Sequence, residues 1–152
     1  MRQSAGILLY KWNEGKLLFF LVHPGGPFWE GKDEGVWTIP KGEYGNDESP
    51  LTAALREFKE ETGTELKGPS LALTSVRQKA GKQVTAFAMM GDIDPQTISS
   101  NFFKLQWPYK SGKWISVPEI DKGGWFDITE AKRKINPAQV ALLDELSLLL
   151  HV

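Results

Sequence analysis

One segment of this 152-residue chain carries signals for both ends of a helix. Ser49 followed by Pro50 indicates a helix start, because a serine side chain caps the first turn and proline fits its first position. Gly63 indicates the end, since glycine readily adopts the left-handed conformation that closes many helices. Strand-like apolar runs lie on both sides of this helix. The combination predicts a layered α/β domain.

The apolar runs predict several strands around that helix. Ser4–Tyr10 and Leu17–Val22 are separated by turn residues at 12–15, so we expect a hairpin. The next short strand is predicted at Val36–Ile39, before a loop that leads to Ser49. The remaining expected elements are strands at Leu71–Lys79, Val84–Met90, Phe102–Trp107 and Trp125–Phe126, and an amphipathic helix from Asn136 to Leu150.

Composition excludes several classes of site and places this protein among ordinary globular domains. Hydrophobic residues make up 41% of the chain, enough for a core, and the length suits a single domain over residues 1–152. The absence of cysteine excludes disulfides and thiolate metal sites, and the presence of only two histidines argues against His-rich metal sites and Ser-His-Asp catalysis. The sequence shows neither a membrane span nor a convincing signal peptide. We therefore expect a cytoplasmic protein without membrane contact.

Three glutamates share one edge of the predicted helix. On a helical wheel, Glu60 and Glu61 lie within roughly 60° of Glu57, and the small Ala53 precedes them by one turn. Like charges at this spacing destabilise a helix, and anions are also unfavourable near its carboxyl end. Hard divalent cations would offset that cost, whereas a solvated acidic face remains the simpler alternative. An apolar stripe of Leu51, Leu55, Phe58 and Thr62 is expected to face the core.

Residues in and around the predicted helix match a known sequence motif. The chain reads Gly42-x5-Glu48-x7-Arg56-Glu57-Phe58-x-Glu60-Glu61-x-Gly63-Thr64. This resembles the Nudix box, G-x5-E-x7-R-E-U-x-E-E-x-G-U, where U is a bulky apolar residue. Only Thr64 departs from the pattern, at a position next to the helix exit and away from the carboxylates.

The resemblance implies a fold, a reaction and a set of residue roles. Nudix proteins are α/β/α sandwiches with a mixed sheet that hydrolyse phosphoanhydride bonds with Mg²⁺ or Mn²⁺. By position, Glu57, Glu60 and Glu61 match metal ligands, and Glu57 or Glu61 could act as the catalytic base. Four further residues match supports of the motif: Gly42, Glu48, Arg56 and Gly63.

A second carboxylate segment resembles one group within the family. Glu119 precedes the aromatic pair at Trp125 by six residues, which is similar to diadenosine tetraphosphate hydrolases of the Nudix type. In that group a glutamate at this spacing reaches the metals, so Glu119 is a candidate metal ligand and catalytic residue. Asp121 is a weaker competitor. The segment from Ile128 resembles the helix start that follows the strand in the same group.

Candidate substrate contacts lie outside the motif. Lys41 can meet a phosphate as a point charge. Phe28, Trp29 and Tyr109 are open aromatic residues that could stack on a base. Phe103 and Trp107, by contrast, alternate as a buried strand face does, so we expect them in the core.

The predicted function is therefore a metal-dependent pyrophosphohydrolase of a nucleoside polyphosphate, with a dinucleoside polyphosphate as the preferred interpretation. Alternatives within the family are a MutT-like pyrophosphatase of (oxidised) nucleoside triphosphates and an RNA 5′-end pyrophosphohydrolase. A nucleotide-sensing module without catalysis is the non-enzymatic alternative. The sequence pI of about 6.1 argues against a stable nucleic-acid partner, and the sequence leaves the oligomeric state open.

Overall fold

The computed structural model describes residues 2–151, apart from the side chain of residue 80. Residues 1 and 152, the ends of the predicted domain, lie outside the described residues. The strands in the described part are β1 (Gln3–Asn13), β2 (Lys16–Pro24), β3 (Lys41–Glu43), β4 (Leu71–Ala72), β5 (Val76–Arg77), β6 (Gln83–Met90), β7 (Phe102–Gln106), β8 (Trp114–Pro118) and β9 (Ile120–Phe126). The α-helices are α1 (Pro50–Thr62), α2 (Ile128–Lys134) and α3 (Val140–Leu149).

The main sheet is mixed and is organised around β1. Its strand order is β4-β6-β1-β2-β9, with β5 paired to β6. β1 runs parallel to β6 and antiparallel to β2, which confirms the predicted hairpin. The first residues of β1 also pair with β3, Ser4 with Glu43 and Gly6 with Lys41. This last pairing fixes the start of the Nudix-like segment to the centre of the sheet.

Alternation along β1 divides the core between two faces of the sheet, because successive strand side chains point in opposite directions. Ile7 and Leu9 pack with α1 and its Phe58 on one face. Leu8 packs on the other face with residues of α2 and α3, among them Leu142. The molecule is thus a mixed α/β structure with helices on both faces, which confirms the predicted fold class.

Both predicted ends of α1 are confirmed. The Ser49 hydroxyl accepts a hydrogen bond from the Thr52 backbone N–H at 3.2 Å. Gly63 has φ +81°, and its N–H donates to the Lys59 carbonyl at 2.7 Å. A residue with a side chain would be strained at this φ, so glycine suits the position. The structure therefore begins and ends this helix where local sequence chemistry predicts.

Predictions for the shorter strands were partly wrong. The segment Val36–Ile39 makes two isolated bridges, Trp37 with Ile135 and Thr38 with Val22, instead of a strand. The expected strand over Leu71–Lys79 is broken into β4 and β5. The predicted strand Trp125–Phe126 is the end of the longer β9, and β3 and β8 were not predicted. Such short strands depend on partners far along the chain, which local patterns do not specify.

The two last helices follow local signals with one shift. α2 begins at Ile128, as the resemblance implied, after Asp127 accepts from the Glu130 N–H at 2.9 Å. Asn136 caps a 3₁₀ turn, accepting from the Ala138 N–H at 2.9 Å, and α3 begins only at Val140. No helix in residues 2–151 is both long and apolar enough to cross a membrane.

Placing Phe103 and Trp107 in the core was wrong. β7 and β8 form a separate two-stranded sheet off the main sheet, and Phe103 and Trp107 remain 39% and 38% exposed. The alternating apolar residues of β7 therefore form one face of a surface hairpin and do not belong to the core. That face turns towards the loop after β2, where Leu105 and Val117 lie against Gly26.

Gln139 holds the segment that leads into β3. Its side chain is fully buried, accepts from the Ile39 backbone N–H at 3.1 Å, and donates to Thr38 at 2.9 Å and Gln78 at 2.8 Å. Burying an unpaired amide group costs far more than the net energy of the bond itself. This amide therefore ties α3 to the chain just before Lys41.

We predict that Gln139→Ala lowers the free energy of unfolding by about 1–3 kcal/mol, because the Ile39 N–H and Gln78 lose their buried partner. Urea unfolding followed by circular dichroism measures the change. Gln96→Ala, at an exposed glutamine, is the matched control and should stay within about 0.5 kcal/mol of wild type. Equal effects for both variants would contradict this role of Gln139.

Candidate active site

Of the three glutamates on the carboxylate edge of α1 (Glu57, Glu60 and Glu61), the first and last are buried against the sheet, whereas Glu60 is half-buried. Glu57 and Glu61 are 8% and 6% exposed, and Ala53 is fully buried between helix and sheet. Leu51 and Leu55, expected on the core face, are only half-buried. The helix is therefore rotated from the orientation that the apolar stripe predicts. A solvated acidic face, the simpler alternative for these glutamates, does not describe Glu57 and Glu61.

β3 supplies the surface against which these carboxylates lie. A Cβ added at Gly42 would overlap the carboxylate of Glu57, so only glycine leaves room there. The backbone N–H of the neighbouring Lys41 donates to Glu61. The short pairing of β3 with β1 therefore positions both helix carboxylates, through a close approach at one residue and a hydrogen bond at the next.

Arg56 connects the helix with the loop before it. Its guanidinium makes a bidentate contact with Glu48, Nε to Oε2 at 2.7 Å and Nη2 to Oε1 at 2.9 Å. The remaining Nη1 donates to Glu57 at 2.8 Å and to Glu60 at 3.2 Å. The pKa of Glu48 is lowered by this contact. Arg56 thus connects the loop to the helix and also partly neutralises two carboxylates of the helix edge.

Burial and mutual repulsion destabilise the charged forms of these carboxylates. Burial, with the nearby charges of Glu57 and Glu119, raises the pKa of Glu61 to about 8. Burial also raises the pKa of Glu57; Arg56 opposes this shift, while Glu60 and Glu119 add to it. Three carboxylates from two parts of the chain are therefore close enough to interact, Glu57, Glu61 and Glu119.

Backbone hydrogen bonds hold Glu119 at this place. Its N–H donates to the carbonyl of Asn101 at 2.9 Å, and its carbonyl accepts from Gly25 at 2.9 Å. Asn101 in turn donates its N–H to the carbonyl of Glu60 near the end of α1 at 3.1 Å. A helix carbonyl without an intrahelical partner is thereby satisfied. The same chain of bonds brings Glu119 to the helix that carries the other carboxylates.

Asp121, the weaker competitor of Glu119, has a different partner. One of its oxygens lies 2.9 Å from Nδ1 of His23, a buried residue of β2. Nε2 of His23 lies 2.6 Å from the carbonyl of Lys32. This pair ties β9 to the loop after β2.

Lys41 lies beside the carboxylates and faces a cavity. Burial lowers the pKa of its ammonium group and nearby Lys82 lowers it further, whereas Glu61, Glu43 and Glu57 favour the charged form. The cavity has a volume of about 230 Å³ and is lined by Trp29, Gln78 and Asn136 together with Lys41 and its neighbours. We call it the Lys41 cavity. It brings Trp29 and three amide residues, Gln78, Asn136 and Gln139, together with Lys41.

The other aromatic candidates are more open. Phe28 packs edge-to-face on Trp29 at a centroid distance of 4.8 Å, and the Lys32 ammonium lies 3.7 Å from the Phe28 centroid. Tyr109, at the turn between β7 and β8, is 82% exposed. The structure therefore brings Trp29 to Lys41 and leaves Tyr109 on the surface of the hairpin.

The family model named NUDIX domain matches residues 1–146. The chain belongs to the Nudix family. This finding confirms the membership that the box at 42–64 predicted, and it supports the predicted class of enzyme, a pyrophosphohydrolase.

Similar proteins include solved Nudix structures and a viral protein. The C. elegans Ap4A hydrolase binary complex shares the fold, with TM-score 0.67 and 20% identity over 99% of this chain and 98% of that chain. The NUDIX domain of Shewanella oneidensis NrtR, complexed with ADP ribose, has TM-score 0.68 and 15% identity over 97% and 87%. The African swine fever virus mRNA-decapping protein g5R is 45% identical over 51 residues, 34% of this chain; the match spans only 19% of that relative's length.

The donor chemistry of this Nudix chain fits a divalent cation. Glu57, Glu61 and Glu119 offer hard oxygen ligands. Burial and then repulsion by Glu57 and Glu119 raise the pKa of Glu61, and a cation would relieve that repulsion. Among the described residues, no group of three or more acidic or histidine side chains has the arrangement of a finished metal site. Nη1 of Arg56 engages oxygens of Glu57 and Glu60.

Sequence reasoning missed the residues that depend on long-range contacts. Gln78 and Asn136 line the Lys41 cavity, and Asn101 positions Glu119. Amide side chains such as those of Gln78 and Asn136 occur on every protein surface, and Asn101 acts through its backbone, so residue type alone carries no signal. Only the packing of three distant segments makes these residues part of the site.

We predict that Gly42→Ala lowers the free energy of unfolding by about 1–3 kcal/mol, because the new methyl group overlaps the Glu57 carboxylate. Chemical denaturation measures the loss. Gly45→Ala is the matched control, since its added Cβ would meet only the flexible Asp47 side chain, at 3.0 Å. An unchanged stability of Gly42→Ala would show that β3 and Glu57 are not in close contact.

We predict that saturating Mg²⁺ or Mn²⁺ raises the melting temperature, because a ligand bound only by the folded state stabilises it, by about 2.7 kcal/mol at 100 times Kd. Glu61→Gln should reduce this gain. Glu65→Gln, at an exposed glutamate outside the carboxylate edge, is the control and should retain it. Thermal melts with and without metal would contradict the site if all three proteins gave equal shifts.

Proposed function

We propose that this protein is a metal-dependent pyrophosphohydrolase that cleaves a phosphoanhydride bond of a nucleoside polyphosphate. The observation that carries the proposal is the meeting of Glu57 and Glu61 of α1 with Glu119, which precedes β9. Three mutually repelling carboxylates next to one lysine are costly as structure alone. They suit a site that binds cations together with a polyphosphate. We also propose that residues 1–152 act as one domain in this reaction.

Glu57, Glu60, Glu61 and Glu119 are the residues that would hold Mg²⁺ or Mn²⁺. When bound, the metal supplies charge neutralisation at the phosphate oxygens and lowers the pKa of a water. The chain itself contributes the fixed geometry: Gly42 admits Glu57, the Lys41 N–H holds Glu61, and Arg56 and Glu48 brace the helix.

Proton transfer and substrate orientation fall to other features of the same residues. A carboxylate that is not saturated by metal accepts the proton of the attacking water. Glu57, Glu61 and Glu119 are the candidates, and single Glu→Gln variants separate them. The Lys41 ammonium faces the substrate phosphates, and Trp29 of the Lys41 cavity stacks on a base. Phe28 and Tyr109 are proposed as more peripheral base contacts.

A dinucleoside polyphosphate is the substrate we favour. The spacing of Glu119 before Trp125, which resembles diadenosine tetraphosphate hydrolases, supports this choice, and so does the influence of the Glu119 charge on Glu61. The similarity in fold to the C. elegans Ap4A hydrolase extends along 99% of the chain.

We predict Mg²⁺-dependent cleavage in a panel of nucleoside triphosphates, oxidised nucleoside triphosphates and dinucleoside polyphosphates. Glu57→Gln should lower kcat/KM by about 10²–10⁴-fold, the range expected when a general base or its equivalent is removed. Anion-exchange separation of the products identifies which phosphorus is attacked.

Glu65→Gln serves as the control in this panel and should retain wild-type activity. Nucleotide binding without turnover of any member would contradict the proposal and indicate a sensing module. Turnover that survives in Glu57→Gln, Glu61→Gln and Glu119→Gln would exclude the carboxylate edge as the active site.

The 5′ end of RNA is a second candidate substrate. The local similarity to an mRNA-decapping protein over 51 residues favours it. The exposed Phe102, Trp114 and Tyr109 with Lys104 and Lys110 on the hairpin suit single-stranded nucleic acid, which stacks on aromatic rings. A capped and a triphosphorylated RNA oligonucleotide, added to the panel, test this directly. Preferred cleavage of either would replace the dinucleoside assignment.

A further inference from the structure

The hairpin of β7 and β8 has one apolar face that the main core does not cover. Directly paired residues lie on the same face of a two-stranded sheet. Phe103 pairs with Val117 and Leu105 with Ile115, so these four share the face that turns towards the loop after β2. Ile115 is 39% exposed. The face is therefore partly open instead of being packed as a core would be.

A cleft lies between this face and the loop. Its volume is about 400 Å³, within the range of small-molecule sites. Pro27, Trp107, Ile115 and Val117 give it apolar and aromatic walls, and the carboxylates of Glu30 and Asp121 also line it. We call it the hairpin cleft. Carboxylates repel phosphate groups but accept hydrogen bonds from the amino groups of bases. The chemistry therefore suits a planar base and not a phosphate.

The hairpin cleft is anchored to Glu119. Pro118 and Asp121, on either side of that glutamate, both line it. A Cβ added at Gly25 would collide with the Pro118 carbonyl, and the Gly25 N–H donates to the Glu119 carbonyl at 2.9 Å. The backbones of the loop and the hairpin are therefore in direct contact next to Glu119. A ligand in the cleft lies next to one end of the candidate active site.

The Lys41 cavity lies at the other end of the same group of carboxylates. Trp29 and Lys41 both line this cavity, and the Lys41 backbone N–H donates a hydrogen bond to Glu61. Both cavities are lined in part by the loop after β2, since Trp29 lines one, and Pro27 and Glu30 line the other. Glu61 is thus bonded to a residue that lines one cavity, and Glu119 directly follows Pro118, which lines the other, so the two carboxylates adjoin two separate cavities that could each hold a base.

We propose that the hairpin cleft binds the second base of a dinucleoside polyphosphate, while the first nucleoside occupies the Lys41 cavity and the phosphate chain crosses the carboxylates. This inference rests on the proposed function and names the subsites of its substrate. The two subsites differ in chemistry. Gln78 and Asn136 can read hydrogen-bonding groups in the Lys41 cavity, whereas the hairpin cleft stacks a base and favours one that carries an amino group.

The experiment compares Trp107→Ala with wild type on diadenosine tetraphosphate and on ATP, with Mg²⁺ present. Loss of one stacking partner should lower the ratio of kcat/KM for the dinucleotide to that for ATP by about 5- to 150-fold. Diuridine tetraphosphate, whose bases lack amino groups, should be a poorer substrate than the adenine compound. Ile115→Glu, which adds a charge to the open face, should reduce the same ratio and serves if Trp107→Ala is unstable.

Trp12→Ala, at an exposed tryptophan near the end of β1, is the matched control and should leave the ratio unchanged. If wild type cleaves both substrates and neither cleft variant changes the ratio, the cleft assignment is wrong while the proposed function stands. If wild type cleaves ATP alone, the two-subsite arrangement is overturned. If it cleaves no nucleotide, the proposed function fails and the cleft assignment falls with it. A dimer in light scattering that Ile115→Glu dissociates would assign the cleft to a second copy of the chain, which also overturns the proposal.

Discussion

The burial of two glutamates between α1 and β3 is the constraint on which the candidate site depends. An isolated carboxylate is expensive to remove from water, and two adjacent ones are more so. The structure offsets this cost with neighbours fixed by the fold, namely the Lys41 N–H at Glu61 and the Arg56 guanidinium at Glu57. Because Gly42 has no side chain, β3 can approach closely enough to enclose both. The arrangement of these two glutamates therefore depends on the sheet and the helix together.

The end of α1 has a second function in this arrangement. Its last carbonyls lack partners within the helix, and the chain after β6 satisfies two of them, with Ser99 at Thr62 and Asn101 at Glu60. Asn101 also accepts the N–H of Glu119. A requirement of every helix, the pairing of its terminal carbonyls, here determines where a carboxylate almost 60 residues further along the chain is held.

Local sequence chemistry predicted the elements that carry their own signals. Ser49, Pro50 and Gly63 fixed the ends of α1, because capping involves neighbouring residues only. Sequence alone did not predict β3, the rotation of α1 that buries Glu57, or the clamp through Asn101. Each of these depends on the pairing of segments far apart in the chain. Alternation in β7 was misleading for the same reason, since it indicates a face but not what covers that face.

Arg56 links the apolar fold to the polar chemistry of the site. It holds Glu48 with two donors and uses the third nitrogen on Glu57 and Glu60. A guanidinium is always charged, so it can balance these carboxylates when no other cation is present. A divalent ion bound as we propose would compete for the same oxygens of Glu57 and Glu60 but not for those of Glu48. The contact between Arg56 and Glu48 would therefore persist in the metal-bound state, so the structural role of Arg56 does not depend on the proposed metal binding.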